Sequence, residues 1–112
     1  MKKAYKCVLA IVNTGFSEVA MESAKSAGAT GGTILTARGT ASKEAEKFFN
    51  ISIQPEKEIV MILCKTDLVD GILNNLYKAI GSSTQAQGIA FALPVDEVCG
   101  LEEKIKEENQ QK

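Results

Sequence analysis

Residues 58 to 64 are EIVMILC and residues 67 to 80 are DLVDGILNNLYKAI, and the change of period between them decides the fold. The first is a continuous apolar run of strand length and strand composition. In the second, Leu68, Ile72, Leu73, Leu76, Ala79 and Ile80 return every three or four residues, which draws one apolar stripe along a helix. Thr66 or Asp67 is placed to cap that helix and Gly81 to stop it. Working back, Tyr5 to Val12 (YKCVLAIV) predicts a strand that ends at Thr14-Gly15. Between Gly15 and Ala27, residues Val19, Ala20, Ser23, Ala24 and Ala27 share a helical face, with Thr14 or Ser17 as cap and Gly28 at the end. Residues 31–37 (GGTILTA) predict another strand. Working forward, a polar turn over Ser82 to Gln87 leads into a last strand, Gly88 to Leu93 (GIAFAL), and Pro94 suits the first turn of a short helix through Val98.

The order strand, helix, strand, strand, helix, strand predicts an α+β, ferredoxin-like β-α-β-β-α-β domain, with a four-stranded antiparallel sheet and both helices on one face. Those helices can cover one face only. Yet the first strand is apolar on both sides, with Cys7, Leu9 and Ile11 alternating against Val8, Ala10 and Val12, and residues 59–64 behave alike. Left in water, the second face would be a contiguous apolar patch whose burial recovers roughly 25 cal/mol per Å². The chain has no further elements to cover it, so another copy is expected to, in a closed homo-oligomer.

Length and composition agree with one domain over residues 1–112: 45% of the chain is hydrophobic and 24% charged. Thirteen basic against fourteen acidic residues leave a net charge of −1, so no global field draws the protein to nucleic acid or to an anionic membrane. No apolar run approaches the ~18 residues of a membrane span, which predicts a soluble, cytoplasmic chain without direct membrane insertion. Histidine is absent, which removes imidazole bases, Ser/His and Cys/His pairs and most zinc sites, so no metal is predicted. Cys7, Cys64 and Cys99 are odd in number and far apart, and are expected to be reduced thiols.

Four of the nine glycines bracket the second strand in GATGGTILTARGT, residues 28–40. Glycine at a strand end lets a ligand approach the backbone, although no Lys-Ser/Thr follows to make a phosphate-binding Walker loop. Arg38, at the strand end beside Gly39 and Thr40, suits a phosphate or carboxylate through paired hydrogen bonds, or a surface ion pair. After it runs a long polar connection over residues 40–54, expected to be a flexible, partner-contacting segment. Phe48, Phe49, Ile51 and Ile53 are expected to fold back toward the next strand, because an exposed aromatic pair invites aggregation. The charged stretch at residues 101–112 has few apolar anchors and is expected to fray.

Three blocks, Gly28 to Thr40 (GATGGTILTARGT), Pro55 to Val60 (PEKEIV) and Gly88 to Val95 (GIAFALPV), resemble the P-II nitrogen-regulatory signalling family, over most of the chain as far as about Gly100. The resemblance implies a homotrimer of ferredoxin-like subunits that senses a small ligand between subunits and regulates a transporter, enzyme or regulator protein through its long loop. By resemblance the ligand is an adenine nucleotide (AMP, ADP, ATP or cyclic AMP), and in many members also 2-oxoglutarate. Thr30 would then lie beside the adenine ring, Arg38, Gly39 and Thr40 beside the phosphates, and Gln87-Gly88 would close the turn before the last strand. The chain departs from the family pattern in cationic groups. Where typical members carry a Gly-Asp-Gly-Lys turn, Ala86-Gln87-Gly88 stands here, and Gly100 and Glu102 fall where an Arg-x-Arg pair would. A monophosphate, a diphosphate or another small anion is easier to pair than a triphosphate with so few cations. The only tyrosines, Tyr5 and Tyr77, lie outside the loop, so nucleotidylation of a loop tyrosine is not available. Such regulators are not catalysts. Two other classes remain on this fold: an oligomeric scaffold that binds no ligand, and a small phosphate-handling enzyme using Arg38 with Asp67 or Asp70 as acid or base.

Overall fold

The computed structural model describes residues 4–40 and 55–101. The segment 41–54, with Phe48, Phe49, Ile51 and Ile53, and the tail beyond Leu101 lie outside the described residues. The elements are β1 (Tyr5–Asn13), α1 (Ser17–Ser26), β2 (Thr33–Arg38), β3 (Glu56–Lys65), a 3-10 turn (Thr66–Leu68), α2 (Val69–Ile80) and β4 (Ile89–Pro94). They form the expected ferredoxin-like arrangement, a single sheet in the order β2-β3-β1-β4 with every neighbouring pair antiparallel.

Alternation of side chains along β1 and β3 divides the residues between the two faces. Val8, Ala10 and Val12 of β1 and Val60, Ile62 and Cys64 of β3 are buried, in one cluster with Ala20 and Ala24 of α1 and Val69, Ile72, Leu76 and Ile80 of α2. Alanines on the buried side of α1 let that helix lie close to the sheet, while α2 supplies the bulk. Fully burying a side chain such as Ile62, Ile72 or Leu76 stabilises by roughly 1.5–3 kcal/mol. The two helices are tied together where the Asn75 amide donates to the Ser23 carbonyl at 3.0 Å.

On the opposite face the register aligns Leu35 with Ile59, Cys7 with Leu63 and Leu93, Leu9 with Met61 and Phe91, and Ile11 with Ile59 and Ile89. Among the described residues no element covers this face, and Leu35, Met61, Leu63, Ile89, Phe91 and Leu93 are all exposed in the single chain. The doubly apolar strands thus have one side in the core and one side bare.

Several local expectations are corrected. Pro94 ends β4 instead of opening a helix, and Val95 to Leu101 contains none. As β4 is an edge strand, a residue without an N–H is tolerated there. Neither helix is capped by a side chain: α1 is preceded by Phe16, and α2 is entered through the 3-10 turn and Leu68. Val19 points outward, 45% exposed, instead of joining the core. Pairing with β2 and β1 extends β3 back to Glu56, and β2 begins at Thr33 once the glycines are passed.

Candidate functional site

The antiparallel register gathers the C-terminal ends of β1 and β2 and the N-terminal ends of β3 and β4 at one end of the sheet. Arg38 is the last residue of β2, exposed, directly across from Glu56. The Gly39 N–H donates to the Pro55 carbonyl at 2.7 Å, which pins together the two ends of the long connection. Thr40 follows, exposed. A Cβ at Gly39 would stand 3.1 Å from the Cε of Lys57, so a side chain there would require the lysine stem to shift.

Gln87 and Gly88 occupy the same end on the other edge, just before β4. Gln87 sits in the left-handed region at φ 47°, and the Gly88 N–H donates to the Ile80 carbonyl at 2.6 Å. A Cβ on Gly88 would lie 2.6 Å from that carbonyl oxygen, so glycine is what allows the turn to dock on the end of α2. β2 and β4 are separated by three strand spacings, about 14 Å. One chain therefore does not bring Arg38, Gly39 and Thr40 into contact with Gln87 and Gly88.

Thr30 lies at the opposite end. It precedes β2 and lines a cavity of about 270 Å³ with Tyr5, Leu63, Lys65, Leu68 and Leu101. Its lining combines apolar side chains, Leu63 and Leu68 among them, with the polar residues Thr30, Tyr5 and Lys65, a mixture found in sites for small ligands. The residues predicted as one site thus occupy three places around the bare sheet face.

The sequence reading missed two residues at the Arg38 end. Asn13, 4% exposed, receives the Lys57 ammonium on Oδ1 at 2.6 Å. Its Nδ2 donates to the Gln85 carbonyl at 3.2 Å and to the Gln87 Oε1 at 3.4 Å. Nearby, Glu58 accepts the Gly15 N–H at 3.1 Å. A second, more open cleft of about 380 Å³ lies between α2 and β4, bounded by Leu73, Tyr77, Ile80, Gly88 and Ile89.

Asp67 and Asp70 follow the C-terminal end of β3, whereas Arg38 stands across from its N-terminal end, roughly 30 Å away at strand rise. They do not share a site with Arg38 in one chain. No group of three or more Cys, Asp or Glu side chains among the described residues could hold a metal ion. All three cysteines are free, Cys64 buried, Cys7 half-buried on the bare face and Cys99 exposed. Burial pushes the Cys7 thiol up, against a smaller lowering by a backbone hydrogen bond at Ile62. The Cys64 thiol is raised by burial and, to a lesser degree, by the neighbouring Cys7.

No family model and no curated protein matches the sequence. Among solved structures, the crystal structure of Arabidopsis thaliana PII bound to citrate superposes with a TM-score of 0.66 at 21% identity, over 89% of this chain and 82% of that one. The likeness establishes the fold. No helix among the described residues is long and apolar enough to cross a membrane.

Proposed function

We propose that this chain is a P-II-like regulatory protein that binds a small anionic ligand, such as an adenine nucleotide, between copies of itself and acts on a partner protein through the 40–54 segment. The observation that carries this reading is the placement of the predicted ligand residues. Thr30, the Arg38-Gly39-Thr40 group and Gln87-Gly88 sit at three points around an uncovered apolar face, so association of copies through that face is the way they can converge. The cavity at Thr30 suits a small ligand, and Arg38 supplies a cation to a phosphate or carboxylate. The structural neighbour holds citrate, a small polycarboxylate, which supports a ligand of the same charge class for this fold.

A homotrimer is the proposed assembly, with the bare sheet faces turned inward. The proposed function is regulatory; in one chain Asp67 and Asp70 stand at the far end of β3 from Arg38. The test is thermal denaturation against AMP, ADP, ATP, cyclic AMP, citrate and bicarbonate, since a ligand of the native state stabilises by RT ln(1 + [L]/Kd). A concentration-dependent rise in Tm with one of them supports the sensor; no rise with any assigns the chain to a constitutive scaffold.

A further inference from the structure

A row of contacts crosses the end of the sheet strand by strand, from Gly39 after β2 to the aliphatic stem of Lys57 in β3, and by hydrogen bonds from Lys57 to Asn13 in β1 and on to Gln87 before β4. The Lys57 stem lies against Gly39, and its ammonium donates to the Asn13 Oδ1 at 2.6 Å. The Asn13 amide then donates to the Gln85 carbonyl and the Gln87 Oε1, while its backbone N–H donates to the Ala86 carbonyl at 3.0 Å. An ammonium has donors only, so it fixes which end of the buried amide faces it. With Oδ1 held toward Lys57, Nδ2 must face the turn, where both partners are acceptors. Were the amide reversed, Oδ1 would meet the Gln85 carbonyl oxygen and the ammonium would meet an NH₂. Lys57 makes no hydrogen bond to the turn itself among the described residues.

We infer that Lys57 is an orienting residue for the turn at residues 81–88: by setting the Asn13 amide it couples the flank of the sheet at Gly39 to the flank at Gln87, about 14 Å apart. Displacing the ammonium takes the partner from Oδ1 and leaves the amide held by the turn alone, so the position of the donor that holds the turn is no longer fixed from the Gly39 side. The two flanks then no longer respond to each other. This goes beyond the proposed function and does not depend on it, because every contact in the link lies within one chain.

Amide hydrogen exchange read residue by residue by NMR, on the full-length chain without ligand, tests it. In Lys57→Met the stem over Gly39 is kept and the ammonium lost, and exchange at the Gln87 and Gly88 amides should rise about fivefold or more, with the Ala20 amide of α1 unchanged. In Asn13→Leu the link is already cut, so adding Lys57→Met should change those amides less than about twofold further. A change below about twofold in Lys57→Met alone, or effects that multiply in the double variant, overturns the inference. If Asn13→Leu does not fold, the single Lys57→Met comparison decides. A uniform rise at every amide, Ala20 included, signals global destabilisation and also counts against it.

Discussion

Ile62 and Leu63 are neighbours in β3 and belong to opposite worlds: Ile62 is fully buried against the helices, and Leu63 is 37% exposed on the bare face. Substitution by aspartate therefore separates folding from assembly. Ile62→Asp puts an unpaired charge in the core and should cost more than about 3 kcal/mol, seen as loss of the cooperative thermal transition. Leu63→Asp should keep the helical circular-dichroism signal while light scattering falls from three subunits to one. Assembly that survives Leu63→Asp, together with similar substitution at Phe91, contradicts the proposed interface.

Arg38→Ala should remove a charge-assisted contact of roughly 1.5–3 kcal/mol, a tenfold to hundredfold loss in ligand affinity by calorimetry. Because Arg38 is exposed and outside the apolar face, scattering mass should not change. Unaltered affinity would make it an ordinary surface partner of Glu56.

Gly88→Ala presses a methyl group onto the Ile80 carbonyl, where the contact would be 2.6 Å. The turn must shift, at about 1–3 kcal/mol, and Tm in thermal denaturation should fall by several degrees. Gly31→Ala, with open space around its added Cβ, is the matched control and should change Tm little.

The thiols predict both a labelling order and a pH dependence. Iodoacetamide at neutral pH should modify exposed Cys99 first, and Cys64 only after unfolding, as read by mass spectrometry of peptides. Because burial raises the Cys7 and Cys64 thiols, the unfolded chain ionises first as pH rises past the ordinary thiol value of about 8.5. The folded state binds more protons there, so stability is full below that pH and declines above it until the folded thiols also ionise. In Cys64→Ala the decline should be shallower; an unchanged alkaline slope in that variant would remove the thiols from the account.

Much of the fold was legible because β1, β3 and α2 are strongly patterned: residues 59–64 are an apolar run of strand length and β-branched composition between Pro55 and a helical stripe. The bare face was legible for the same reason, although which parity faced outward was not, since Ile62 and Leu63 are equally apolar. The fate of Pro94 was hidden because proline suits both a helix start and an edge strand, and strand order alone tells them apart. Thr30, Arg38 and Gly88 were singled out by local pattern and family resemblance. Asn13 and Lys57 were not, because they meet only through β1–β3 pairing across 44 residues, and each alone looks like a polar residue at a strand end.

The most direct test of the account is a calorimetric titration of the wild-type chain, in its assembled state, with AMP, ADP, ATP, cyclic AMP and citrate up to millimolar concentration. The account predicts saturable heat with at least one of them, one ligand per chain, lost when Leu63→Asp separates the copies. Absence of heat with all of them, or binding that survives in the separated chain at the same affinity, contradicts a ligand site built between subunits.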